Sequence, residues 1–334
     1  MVTSMVVKAY DITPIAITSI AFSTGGPSAV STEAFWEGVE DYFRYNPRIC
    51  DEGGIGFNFI RNGANGTLTF TTSFEMPGME AEELQTFVRP LITQLNEAGI
   101  NITNPRAYVS GIPSAPRNQS SVFEALGGEI YNNRLASRLI PRDTIEDDDD
   151  FGEFMDIMRA FVEEGGYTFH GITHAPTDEV AGWPGRNSAV NPAYRRSVLH
   201  AQGWVAQPEL GKPAQVKQNQ DRFERYYQPF RDLTPDSGSY MNEADVNEPN
   251  WQHSFYGRNY PRLLSIKKQR DPWSLFYVTT GVGSEDWVVE TPYGLKSQNG
   301  RLCKAVGGAV SKRDVSERTA AKRSVVRKSL RGRW

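Results

Sequence analysis

The sequence predicts an α+β fold in which an antiparallel β-sheet carries helices packed on one face, and three observations predict it. Apolar and polar residues alternate in short runs at residues 1–10, 14–23, 53–60 and 66–75, the period of half-buried strands. Hairpin chemistry lies between two of these runs, from Asn62-Gly63 to Gly66. Long amphipathic helices separate the pairs, giving strand, strand, helix, strand, strand, helix, strand, an order that suits a sheet with helices on one side.

Taken in order, residues 1–10 and 14–23 are strands, followed by the turn residues Thr24-Gly25-Gly26-Pro27. Ser31 or Thr32 caps a helix running to about Tyr45, with Phe35, Trp36, Val39 and Phe43 on one side and Pro47 as its stop. Phe35 and Trp36 keep helical spacing and are read as core. Gly53-Gly54-Ile55-Gly56 has the glycines of a phosphate loop, but Phe57 and Phe59 alternate behind it and no helix follows, so a glycine-entered strand is the better reading. Residues 80–98 form a helix with Leu84, Phe87, Val88, Leu91, Ile92 and Leu95 on one face, and 101–108 the next strand. Residues 111–133 are loop-rich. The acidic block 146–150 precedes a helix over 151–164, where carboxylates favour the helix dipole, so it is read as an N-terminus and not as a metal site. Residues 167–173 are a strand. His170 and His174 stand four apart there, a spacing that converges on a helix but not on a strand without a third ligand, and no metal is expected. Residues 197–207 are a strand and 212–233 a polar helix with Val216, Phe223, Tyr226, Tyr227 and Phe230 inward. Then come a short strand at 240–242, an acidic loop with Glu243, Asp245 and Glu248, a helix stopped by Asp271-Pro272, and a strand at 275–278.

A chain of 334 residues with 39% apolar content fills one large or two ordinary domains. Its net charge of −4 argues against a nucleic-acid-binding body. The average conceals a basic tail: residues 304–334 carry +8, leaving about −12 on the rest, and this tail is read as a solvated, disordered extension or a changed reading frame. Cys50 and Cys303 permit at most one bridge and no cysteine metal site. No run is long and apolar enough to span a membrane, so no membrane partner is expected. The first residues lack a cleavable signal, which reads as cytoplasmic if Met1 is the true start. Sequons at Asn65, Asn101 and Asn118 permit secretion without arguing for it.

Residues 239–276 gather the most unusual choices at fixed offsets: Tyr240-x-Asn242-Glu243-x-Asp245, Trp251, Tyr256-Gly257-x-Asn259-Tyr260-x-Arg262-Leu263, Ile266-Lys267, Asp271-Pro272 and Phe276. This run resembles the C-terminal signature of the berberine-bridge-enzyme-like, vanillyl-alcohol-oxidase-type FAD-linked oxidoreductases, with the fungal branch the nearest likeness. Runs at 133–141, 191–195, 281–287 and 300–303 are also similar to that branch, with Tyr194 where the family has Trp.

The resemblance implies four parts: residues 1–10 as the last strand of an FAD-binding domain, 11–235 as the substrate-binding α+β domain, 236–303 as the C-terminal closing segment, and 304–334 as an extension without counterpart. It further implies that the rest of the flavin domain, with its pyrophosphate loop and tethering His and Cys, is absent from this chain. The expected cofactor is FAD and the expected partner a small-molecule substrate, plausibly in fungal secondary metabolism. Family members are often secreted. Glu243 and Tyr240 are the expected catalytic residues, Asn242, Asn259 and Tyr260 the cofactor-binding ones, and Phe57 and Phe59 the pocket wall. Glu243 would act as a base if partly desolvated, or is a loop carboxylate beside Lys or Arg. The alternative function is a catalytically inactive remnant, or a small-ligand or partner-binding protein of the same fold.

Overall fold

Alternation along the strands decides which side of the sheet becomes the core. The computed structural model describes residues 4–7, 13–63, 65–102, 108–110, 133–185, 187–206, 212–290 and 300–305. Strand β1 (Ile15–Ser23) buries Ala16, Thr18, Ile20 and Phe22 while Ser19 and Ala21 stay exposed. The hairpin of β2 (Ile55–Asn62) and β3 (Leu68–Pro77) forms as the Asn-Gly chemistry requires, with Gly66 at φ 73°. With β4 (Tyr108–Ser110), β5 (Asn133–Pro141), β6 (Thr168–Thr173) and β7 (Ser197–Ala206) they make a seven-stranded sheet in the order β4-β1-β3-β2-β6-β7-β5. Every neighbouring pair is antiparallel.

Helices cover one face. Helix α1 (Thr32–Asp51) is capped by Ser31, whose side chain accepts from the Ala34 amide at 3.1 Å, and it lays Phe35, Tyr42 and Phe43 against Phe22, Phe70 and Phe169. Helix α2 (Ala81–Glu97) adds Leu84, Val88, Leu91 and Leu95 to the same core. A short turn α3 (Arg142–Glu146) leads into α4 (Asp148–Glu163), where Asp147 accepts from the amides of Asp149 and Asp150, both at 3.0 Å; the acidic block is thus spent on starting a helix. α4 packs beside the long α6 (Pro213–Leu233), which follows α5 (Asp178–Gly185) and β7. Gly203 makes this possible, since a Cβ there would lie 2.6 Å from the Phe161 ring and 2.8 Å from that of Tyr227.

Three expected boundaries move. Pro47 does not stop α1: the apolar stripe runs on through Ile49 and Cys50, and the helix ends where Gly53 adopts φ 72° and the amides of Gly53 and Gly54 bond to Cys50 and Ile49. Residues 240–242 are not a strand but enter a 3-10 turn, Met241–Glu243. No strand forms at 275–278 either, because the Asp271 carboxylate accepts from the amides of Leu275 (2.8 Å) and Phe276 (3.0 Å), taking the donors a ladder would need. Residues 4–7 carry no regular structure, and the remainder of the expected strands at 1–10 and 101–107, the loop at 111–132 and most of the basic tail fall outside the described residues.

The chain divides into two compact units between Tyr260 and Pro261. The first holds the sheet, its helices and α7 (Trp251–Tyr256). In the second, most of α8 (Tyr260–Arg270) is followed by irregular chain and a two-stranded ladder of β8 (Trp287–Glu290) and β9 (Arg301–Lys304). Lys267 there bonds to Asp271 and to the Phe276 carbonyl, while Trp273, Leu275 and Phe276 stay exposed.

Candidate active site on the open face of the sheet

The face of the sheet away from the helices is open over β1, β3 and β2, and walled over β6, β7 and β5. Register places Phe57, Phe59, His170, Ile172, His200, Gln202, Trp204, Ser137 and Leu139 on it together. Phe59 stacks on His170 with centroids 4.0 Å apart, and Phe57 is 38% exposed beside the small residues Thr71 and Ser73. The two expected pocket-wall residues therefore lie on one accessible surface, as their spacing of two requires.

The wall is built at the sheet's edge. β5 is an edge strand, and residues 237–239 run along it: the Leu139 amide bonds to Gly238 O at 2.8 Å, and the hydroxyls of Ser237 and Ser239 donate to the carbonyls of Leu139 and Ser137. This pairing covers the edge and delivers residues 240–243 over the open face. The acidic loop behind them is anchored by buried ion pairs, Arg134 with Asp245 and Arg231 with Glu248 at 2.8 Å. Asp245 and Glu248 thus account for the loop's acidity, and no Lys or Arg pairs with Glu243 among the described residues.

Glu243 has different company. The Gln202 side-chain amide donates to Glu243 Oε2 at 2.7 Å, lies 3.2 Å from His200 Nδ1, and accepts through its own oxygen from Trp204 Nε1–H at 2.8 Å. Burial raises the Glu243 pKa above the ordinary carboxyl range, and the Gln202 hydrogen bond opposes it. Burial also pushes the three histidines down, to about 4 for His170 and His174 and about 3 for His200, so all are neutral at pH 7. Tyr194, from the 191–195 run, meets Tyr240 edge to face at 5.8 Å, and Tyr240 meets His200 at the same distance. Burial raises the Tyr194 phenol well above its usual value. His174 and His200 rings lie parallel 6.3 Å apart. A half-buried carboxylate, neutral imidazoles and phenols around an accessible aromatic surface can take a proton from a bound molecule and hold it in place.

The expected residues fall into two groups. Tyr240, Asn242 and Glu243 share one turn, where Asn242 Nδ2 donates to Tyr240 Oη at 2.9 Å. Asn259 and Tyr260 make a second cluster: Asn259 Nδ2 donates to Val190 O at 2.9 Å, and the Tyr260 ring meets Trp251 and Tyr256, both at 5.6 Å. Sequence reasoning missed His200, Gln202, Trp204 and the role of Tyr194. The signal lay in the polar and aromatic alternation His200-x-Gln202-x-Trp204 on an otherwise apolar strand.

An FAD site is tested by the donor set. Exposed aromatic rings flanked by amide, hydroxyl and imidazole groups fit the ring end of a flavin. A pyrophosphate cradle is a different matter: Gly53, Gly54 and Gly56 lead into a strand and not into a helix N-terminus, so they do not form one.

Comparison with known proteins adds the following. Residues 239–283 match the family described as berberine and berberine like. The chain is 30% identical over 317 residues to the FAD-linked oxidoreductase patO of Aspergillus clavatus, covering 92% of this chain and 50% of that protein. It is 31% identical over 291 residues to the VAO-type flavoprotein oxidase VAO615 of Thermothelomyces thermophilus, covering 83% of this chain and 46% of that one. Among solved structures, the VAO-type flavoprotein MtVAO615 from Myceliophthora thermophila C1 superposes with a TM-score of 0.69 at 28% identity, over 88% of this chain and 50% of that one. The chain spans about half the length of the curated relatives it matches.

Proposed function

The chain belongs to the berberine-bridge-enzyme-like, vanillyl-alcohol-oxidase-type family of FAD-linked oxidoreductases, and from that premise we propose that it forms the substrate side of a flavin-dependent oxidase site in which Glu243 is the general base. One observation carries the reading: Glu243 is half-buried without a cationic partner among the described residues, held by a neutral amide on the open face. A carboxylate so placed has a proton affinity closer to neutrality than an exposed one, the condition for taking a proton from an alcohol or amine.

When bound, FAD supplies the hydride acceptor, the part of the chemistry that amino-acid side chains do not provide. The chain's own residues do the rest. Glu243 takes the proton from the substrate's O–H or N–H group, so that the adjacent carbon gives up its hydrogen with the electron pair. Phe57 and Phe59 provide an apolar surface for a small organic substrate. Tyr240, Asn242 and Tyr260 are the polar groups we assign to the edge of the site, with Asn259 pinning the 188–190 loop beside it.

The test is reconstitution. The purified chain is titrated with FAD, following flavin fluorescence, and turnover of a small panel of primary alcohols, amines and reducing sugars is followed with a dye acceptor. E243Q is expected to cut turnover about 100- to 10,000-fold with little change in FAD affinity. Full turnover in E243Q overturns the assignment of the base. Absence of both flavin uptake and turnover favours a small-ligand or partner-binding protein of the same fold.

A further inference from the structure

We infer that Trp204 and Gln202 form a one-way hydrogen-bond chain that positions Glu243, fixing Oε2 and leaving Oε1 as the oxygen that takes the proton. The inference rests on the reading of Glu243 as base and concerns two residues that never meet the substrate in it. The direction of the chain follows from donor inventory. Trp204 Nε1 is donor only, and it points at one end of the Gln202 amide at 2.8 Å, so that end must be the carbonyl oxygen. The NH2 end then faces Glu243 Oε2 at 2.7 Å and His200 Nδ1 at 3.2 Å. Turning the amide over would set two donors together at Trp204 and two acceptors together at Glu243, each an unfavourable contact for the buried Gln202 amide. Gln202 is 1% exposed and His200 2%, so water does not satisfy a reversed amide between them.

Two consequences follow for the residues around the chain. His200 accepts at Nδ1, which places its proton on Nε2 and keeps the ring neutral, so it adds no cationic charge beside Glu243 although Nδ1 lies 3.7 Å from Oε2. Among the described residues Tyr194 and Tyr240 are the other titratable groups that face the carboxylate, and burial raises the Tyr194 phenol above its usual value. Gln202 is therefore the one strong donor to Glu243 among the described residues, and its effect favours the ionised carboxylate. Trp204 acts entirely through Gln202: with the indole removed, the amide is free to rotate and offer its oxygen to Glu243.

The experiment reads the carboxylate itself, without cofactor or substrate. The chain is labelled with 13C at the glutamate side-chain carboxyl, the Glu243 signal is assigned by its loss in E243Q, and its midpoint is measured between pH 3 and 8. Q202M, which keeps the volume and loses the donor, is expected to raise the midpoint by about one pH unit, a tenfold change in proton affinity. W204F is expected to move it in the same direction by less, although Trp204 does not touch Glu243. An unchanged midpoint in a folded Q202M overturns the inference, and a shift in Q202M with none in W204F overturns the part played by Trp204. Because the titration needs no turnover, it stands or falls separately from the E243Q assay: an active E243Q sinks the base while leaving the chain of donors intact.

Discussion

Glu243 keeps its place through residues that do no chemistry. Two positions beyond it Asp245 is 3% exposed and paired with Arg134, whose side chain is also largely buried. Breaking such a pair from one side leaves a charge in a place that water does not reach, at a cost of about 3–5 kcal/mol. D245N is therefore expected to destabilise the first unit by roughly 3 kcal/mol, read as a lower urea midpoint. It also frees the turn that carries Glu243, so turnover falls as well. Replacing both partners, as in R134M/D245L, is expected to restore much of the stability, because no unpaired charge remains. Turnover returns only as far as the turn regains its position, so stability and activity separate in the double variant.

Elements show why some features were legible in the sequence and others were not. Local signals came through wherever one physical cause dominates. The Asn-Gly hairpin, the glycine-entered strand and the acidic start of α4 are cases of this, and the last makes a direct prediction. D147A removes one acceptor shared by two amides and is expected to cost about 1 kcal/mol, seen as a small drop in the denaturation midpoint without change in fold. Pro47 and residues 275–278 misled for opposite reasons. At Pro47 the burial of Ile49 and Cys50 outweighs one missing backbone bond. At 275–278 a side chain four residues earlier consumes the amides that alternation promised to a strand. The site was half legible. Tyr240, Asn242 and Glu243 are local in sequence, and so are Phe57 and Phe59, but Gln202 and Trp204 matter only because β7 lies between β6 and β5 in the sheet. Strand order is a long-range property that no window of residues contains.

At the scale of the first unit, the sheet separates two kinds of interior. The helix side is mostly aromatic and aliphatic, with neutral polar groups such as Asn58 and Thr72 but no histidine among the described residues, whereas the other side buries His170, His200 and Gln202 with His174 beside them, and this asymmetry sets how the protein responds to acid. The three histidines are held to about 4, 4 and 3 in the folded chain and return to about 6.5 on unfolding. Below pH 6.5 the unfolded chain therefore binds protons that the folded one refuses, and stability is lost progressively as pH falls from 6.5 toward 4, by roughly 1.4 kcal/mol per pH unit for each group at the steepest. Asp41 works the other way. Burial first, then Glu37, Glu40 and Glu97, raise it to about 6, so its contribution is present at low pH and fades as pH rises through 6. Glu243 and Glu248, which burial also raises, act in the same sense as Asp41, but the three histidines carry the larger displacements and leave a net loss on acidification. The guanidinium midpoint is expected to fall steadily between pH 7 and 4.5. In H170N, which removes one of the three, the slope becomes shallower by roughly one group's share. A flat profile in the parent chain would mean that the open face lets water reach these rings, and the argument for a desolvated Glu243 would weaken with it.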